Sequence, residues 1–265
     1  MNSDSGLAGN ASGLNTLVID IGGTGIKAMV LNEAGEPVGE RAKEKTPRPA
    51  LPEAVLDVAC NLAGSQPAFD RITVGFPGVV HKGVAQTAPN LDPAWHGFDV
   101  AKTFGEKLGK PTRVANDADI QGFGSIQGQG LELVITLGTG LGSALFIDGI
   151  LVPNLELAHH PFRKGKTYEE LLGKAALETE GKKKWLRRLD QAIALLRQTF
   201  NFDTLYIGGG NSAKLEPDSF PPDVRTVQNI AGLLGGIALW HSVQGTSLAR
   251  IPQLPGCEES AHSSS

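Results

Sequence analysis

Cysteine is scarce. Cys60 and Cys257 are the only two among 265 residues, and they form no Cys-x-x-Cys pair. Their scarcity excludes a disulfide framework and a thiolate zinc site, and it fits a reducing compartment. Long hydrophobic runs are missing as well. The uncharged stretch 133–147 is interrupted by Gly and Thr and is too short to cross a bilayer. No large excess of one charge exists: 24 basic against 28 acidic residues give a net charge of -4, which argues against a general nucleic-acid binder. The opening MNSDSGLAGNASGLN has neither the basic nor the apolar region of a signal peptide. These absences lead to the expectation of a cytoplasmic protein with no membrane or nucleic-acid partner. Residues 1–13 and the tail 254–265 are expected to be disordered.

Glycine, by contrast, is abundant, with 34 residues, and its placement organises the chain. The apolar run 17–21 ends at Gly22 and Gly23, a second run covers 26–31, and a third extended segment is expected from Pro37. Helical spacing marks 52–63 and 100–108, strands are expected at 72–75 and 112–115, and a helix over 119–125. At residue 131 the opening pattern returns. LELVITLGTGLGSALFIDGILVP repeats the frame of NTLVIDIGGTGIKAMVLNEAGEPV: apolar run, glycine-threonine turn, apolar run. A whole supersecondary unit is therefore duplicated. Helices over 169–180 and 182–200, a strand at 205–207, a GGGN turn and a helix over 228–241 complete the pattern.

Two such turns facing one cleft would direct backbone N–H groups at an anion. Thr24 and Thr139 add hydroxyls. Asn116 and Asp117 lie between an expected strand and an expected helix, so both can face the cleft. Asp117 offers a carboxylate to take a proton; equally, Asp117 or Asp119 could cap the helix. Asp20, beside the first turn, either positions a hydrated cation or closes an Asx turn. The segment NLELAHHPFRKGKTYEELLG at 154–173 places Glu156 near His159 and His160, which suits a metal site, a ligand-binding site or a plain loop.

DIGGTGIK at 20–27, GFPGVV at 75–80, APNL at 88–91, VANDAD at 114–119, TLGTGLGSALFIDG at 136–149 and IGGGN at 207–211 occur in one order. In this the chain resembles the ROK family of sugar kinases and repressors. The resemblance implies an α/β, actin-like (ribonuclease H-like) duplicated fold of two lobes. Residues 14–115 with about 241–253 would form the small lobe and 116–240 the large lobe. It implies that Asp20, Gly22, Gly23, Thr24, Gly25, Lys27, Gly138, Thr139, Gly140, Gly209 and Gly210 surround the phosphates of the donor. Asp20 would hold Mg²⁺ through water. Asp117 would be the general base, with Asp119 the better helix cap. Asn90, Asn116, Glu156, His159 and Glu169 would bind sugar hydroxyls, with Glu170 the rival of Glu169. His160 is left without an assigned role. The family's cysteine-rich zinc motif has no counterpart here, so no structural zinc is expected.

FRKGKTYEELLGKAALE and KKKWLRRL resemble the polyphosphate-dependent glucokinase branch, some of whose members also use ATP or phosphorylate mannose. Residues 160–200 carry ten cations and five acids. Lys182, Lys183 and Lys184 are thus the expected path for polyphosphate, with a solvated helix face as the alternative. The resemblance implies glucose or mannose as acceptor, polyphosphate or ATP as donor, and a homodimer as a common assembly. A strictly ATP-dependent hexose kinase, a polyphosphate phosphatase and a sugar-sensing regulator are the competing readings. The regulator is disfavoured because only about fifteen polar residues precede the first strand.

Overall fold

The computed structural model describes residues 13–227 and 235–241. The strand β1 (Thr16–Ile21) turns through Gly22, Gly23 and Thr24 into β2 (Gly25–Leu31), and β3 (Ala42–Lys45) pairs antiparallel to β2. The helix α1 (Pro52–Gly64) leads to β4 (Arg71–Phe76), parallel to β1. A small hairpin of β5 (Val80–His81) and β6 (Val84–Ala85) follows, then α2 (Val100–Leu108) and β7 (Thr112–Asn116), parallel to β4. The first sheet has the order β3-β2-β1-β4-β7.

After α3 (Asp117–Phe123) the plan repeats. The strands β8 (Leu131–Leu137), β9 (Leu141–Ile147) and β10 (Ile150–Val152) form an antiparallel meander. A second small hairpin, β11 (Pro161–Arg163) with β12 (Lys166–Thr167), precedes α4 (Tyr168–Leu172), α5 (Lys174–Glu180) and α6 (Lys182–Phe200). The strand β13 (Thr204–Gly208) then returns parallel to β8, and β14 (Val224–Thr226) pairs with it. The order β10-β9-β8-β13-β14 has the same form as the first sheet. This is the expected duplicated α/β fold.

The period-two alternation of β1 explains its position. Leu17, Ile19 and Ile21 enter the core shared with Val55, Leu56 and Ala59 of α1 and Phe104 of α2. Val18 and Asp20 face the other way. In the second lobe, Trp185, Leu189, Ala192, Ile193 and Leu196 form the buried stripe of α6, at helical spacing. Its indole Nε1 donates to the Leu172 carbonyl at 2.8 Å, so Trp185 is both packed and satisfied.

Several boundaries differ from the sequence reading. The third extended segment begins at Ala42; Pro37 makes only an isolated bridge with Leu31. The helix expected over 169–180 is broken at Gly173, whose ψ of 170° ends α4 before α5 begins. The helix expected at 119 starts at Asp117, and its cap is Asn116, whose Oδ1 accepts from the Ala118 N–H at 2.7 Å. Asp119 is therefore not the cap. Of the helix expected over 228–241, only the single turn Gly235–Ile237 and α7 (Ala238–His241) fall among the described residues. The segment 242–253, expected to return to the first lobe, lies outside them, as do 1–12 and 254–265.

Residues 235–240, counted above with the large lobe, lie against the first sheet. Thr73 Oγ1 donates to the Gly236 carbonyl at 2.7 Å and accepts from Trp240 Nε1 at 2.9 Å. The guanidinium carbons of Arg71 and Arg113 lie 5.1 and 4.4 Å from the Trp240 ring centre.

Candidate active site

Both glycine turns open onto one cavity of about 290 Å³. Asp20, Gly22, Gly23, Thr24 and Lys27 line it from the first lobe, with Gly138, Thr139 and Gly140 from the second. The third turn adds Gly209 and Gly210. Asn90, Asn116, Asp117, Glu156, His159 and Glu169 complete the set. Of the sequence candidates, Gly25, Lys182, Lys183 and Lys184 are not among the lining residues. Gly25 instead closes the first turn, its carbonyl accepting from the Gly22 N–H at 3.0 Å.

The turns are held from outside. Thr46 Oγ1 donates to the Gly22 carbonyl at 2.5 Å, and Arg48 Nη2 donates to the Gly23 carbonyl at 2.6 Å. Asn211 Nδ2 donates to the Gly138 carbonyl at 3.1 Å, which ties the third turn to the second. Gly209 is required sterically, whereas a side chain at Gly140 would displace the Glu169 carboxylate. Gly209 has φ +85°, and a Cβ there would stand 2.5 Å from the Leu137 carbonyl oxygen. A Cβ on Gly140 would collide with the Glu169 carboxylate, which accepts from the Leu141 N–H at 3.2 Å.

Asn116 and Asp117 sit where β7 becomes α3. Asn116 Nδ2 donates to the Gly78 carbonyl at 3.0 Å and lies 3.4 Å from Glu156 Oε1. The amide therefore joins the helix cap to the acceptor side of the cavity. Asp117 Oδ1 accepts from the Ala118 N–H at 2.8 Å. Burial, helped by the charges of Asp20 and Glu156, pushes the Asp117 carboxyl up to about 7, against the opposing pull of the Ala118 N–H and Lys27. Asp119 is raised to about 8 by burial and by Asp117 and Glu156, and its Oδ1 has no hydrogen-bond partner among the described residues. Glu156 is raised by burial and by Glu169, with His159 acting in the opposite direction. Lys27 Nζ lies 2.6 Å from Asp20 Oδ2.

The structure separates Glu169 from Glu170. Glu169 faces the cavity, whereas Glu170 closes a capping box: it accepts from the Thr167 N–H at 2.8 Å, and Thr167 Oγ1 accepts from the Glu170 N–H at 3.2 Å. His160 is exposed, with Nδ1 3.1 Å from the Pro161 carbonyl oxygen, and it does not line the cavity. Lys182 and Lys184 are engaged in ion pairs with Glu216 and Glu180. Among the described residues no group of three or more His, Cys, Asp or Glu side chains is placed to hold a metal ion by itself.

Sequence reasoning missed two lining cations, Arg41 and Arg48. It also missed Gln121, which lines the cavity and whose buried Nε2 has no partner among the described residues. The arrangement is two-sided. Backbone turns and cations suit a phosphate chain, while carboxylates and amides suit a polyhydroxyl acceptor. Asp117 stands where the two meet, with a pKa suited to general-base work near neutrality.

Comparison with known proteins is consistent with this geometry. Residues 16–154 match the model of the ROK family. The polyphosphate glucokinase of Mycobacterium tuberculosis (strain CDC 1551 / Oshkosh) is 32% identical over 233 residues, covering 82% of this chain and 88% of that protein. The crystal structure of inorganic polyphosphate/ATP-glucomannokinase from Arthrobacter sp. strain KM superposes with a TM-score of 0.76 at 33% identity, over 86% of this chain and all of that one. A ROK family glucokinase from Streptomyces griseus, solved with glucose and AMPPNP, shares the fold at 20% identity, with a TM-score of 0.70 over 85% and 98% of the two chains. The repeated sheets, the paired glycine turns and these matches agree: the chain belongs to the ROK family.

Proposed function

We propose that the protein is a hexokinase-type phosphotransferase, moving the terminal phosphoryl group of inorganic polyphosphate or ATP to the 6-hydroxyl of glucose, with mannose as a second acceptor. The observation that carries this reading is the position of Asp117. It lies between the duplicated phosphate turns and the group formed by Asn90, Asn116, Glu156, His159 and Glu169. These amides and carboxylates offer the mixed donors and acceptors that sugar hydroxyls need. In the step itself, the acceptor oxygen forms a bond to the terminal phosphorus while the bridging P–O bond of the donor breaks. The hydroxyl proton passes to the Asp117 carboxylate, and the donor leaves one phosphate shorter. Lys27 and the N–H groups of both turns stabilise the charge on the transferred group.

Mg²⁺ would be held through water by Asp20, since a single carboxylate beside a phosphate turn fits an ion that keeps most of its water shell. It would supply charge neutralisation at the phosphates. The low cysteine content supports a cytoplasmic setting, and a homodimer is the assembly to be checked by light scattering. A strictly ATP-dependent kinase is the second reading, favoured by Gly209 and Gly210 lining the same cavity.

Purified protein given glucose or mannose, each with ATP or polyphosphate and with or without Mg²⁺, tests the proposal. The expected product is sugar 6-phosphate. Release of free phosphate without sugar phosphate would refute it.

A further inference from the structure

The first sheet ends in a short edge strand whose alternation sorts its charges. Register places Ala42 opposite Ala28, Lys43 opposite Lys27 and Lys45 opposite Gly25. Ala28 lies in the core under α1, and Ala42 packs against that core. The side chains of Lys43 and Lys45 therefore occupy the other face, the one that carries Asp20 and Lys27, while Glu44 points away with Ala42; Arg41 directly precedes the strand. Arg41 and Lys27 line the cavity. The Lys43 Cε stands 3.3 Å from where a Cβ on Gly25 would be, so this side chain lies over the first phosphate turn.

Arg41, Lys43 and Lys45 lack a neutralising partner among the described residues. Among the described residues no ion pair involves Arg41, Lys43 or Lys45, and Lys27 pairs only with Asp20. The cations near the start of α6 differ in part: Lys184 and Arg188 share Glu180 and Lys182 reaches Glu216, while Lys183 and Arg187 make no ion pair among the described residues. Like charges along one strand face repel one another unless an anion lies across them. Successive cations are about 7 Å apart, and the row from Arg41 to Lys45 spans about 13 Å.

We propose that this face of β3 is the track for the tail of an extended inorganic polyphosphate donor. The inference rests on the phosphotransfer reading above and adds where that donor lies. An unbranched polyphosphate carries charge at every unit and no base to recognise. A row of point charges with an Arg able to grip phosphate oxygens fits that chemistry. The tail of a nucleotide is a single nucleoside, which needs no such row. The third turn, Gly209 and Gly210, borders the same cavity from the other lobe. The two donors would thus share the terminal-phosphate site and part beyond it.

The test compares K43Q/K45Q and K182Q/K183Q/K184Q with the unmodified chain, using long-chain polyphosphate, tripolyphosphate and ATP. Each exposed charge contact is worth about threefold, so K43Q/K45Q should lower the ratio of kcat/KM for long polyphosphate to that for ATP by about tenfold. The loss should fall on KM, should shrink with tripolyphosphate, and should be muted by added salt. The α6 triple variant should change that ratio less. Equal loss with ATP, no loss with long polyphosphate, or a larger loss in the α6 variant overturns the track. Should the unmodified protein form sugar phosphate with ATP alone, the polyphosphate-donor reading fails. Direct titration with long-chain polyphosphate then decides the track: weaker binding by K43Q/K45Q supports it, and equal binding overturns it.

Discussion

Asp117→Asn should lose nearly all turnover and yet make the protein more stable at alkaline pH. The Asp117 carboxyl is raised from 3.8 to about 7 by burial and neighbouring acids. A shift of roughly three units, at about 1.4 kcal/mol each, corresponds to about 4 kcal/mol of cost for holding the charge there. The carboxyl faces a cleft open to water, which reduces that figure to about 2 kcal/mol. The sign follows from proton binding. Between about pH 4 and 7 the folded protein keeps this proton while the unfolded chain releases it, so stability falls as pH rises through that window. Above about pH 7 the native protein bears the whole cost. Asn keeps the Oδ1 acceptor for the Ala118 N–H and has no charge to desolvate. Melting of both proteins at pH 5 and pH 8 should show a small difference at the lower pH. At the higher pH the variant should melt about 4–8 °C above the parent, while kcat drops about 10²- to 10⁴-fold. A variant less stable at pH 8, or a gain of the same size at both pH values, would refute the assignment of a buried, charge-strained base.

The same carboxyl sets the pH profile: kcat/KM should fall tenfold per unit below about pH 7, and Glu156→Gln, by removing a charge that raises Asp117, should move that limb to lower pH. Gly209→Ala puts a Cβ against Leu137 at φ +85°, so a loss of about 1–3 kcal/mol in a urea titration is expected, together with a raised KM for ATP. Glu169→Gln should raise the KM for glucose, whereas Glu170→Gln, in the capping box, should lower the melting temperature and leave sugar kinetics alone; the opposite pattern would exchange their roles.

Why some of this was legible in sequence is a matter of range. The duplicated sheets announce themselves because an apolar run followed by a glycine-threonine turn is local information. The start of α3 was misplaced because Asp is a common helix cap and Asp119 precedes an apolar stretch. The helix in fact begins where β7 ends, and the Asn116 amide serves both as cap and as a link to Gly78 and Glu156. That double use depends on contacts thirty-eight and forty residues away, which no local pattern encodes. For the same reason Glu169 is preferred to Glu170 in the sequence only through the family resemblance. Their difference is the register of one short helix against the Gly140 turn.

Charge is where local counting and structure disagree most. A window over residues 160–200 finds an excess of cations, but a helix brings residues four apart together, as with Lys174 and Glu178 in α5, and the break at Gly181 brings Glu180 onto Lys184 of α6. A strand does the reverse: Glu44 lies between Lys43 and Lys45 in sequence and on the opposite side in space. Half of the cations of 160–200 are thus drawn into ion pairs, whereas those of the edge strand have none among the described residues. The duplication sharpens the contrast, because β10 holds in the second sheet the edge place that β3 holds in the first. It carries Ile150 and Val152, both exposed, and no cation. Two copies of one scaffold have thus acquired different edge strands, and the basic edge belongs to the lobe whose Asp20 and Lys27 border the phosphate turn.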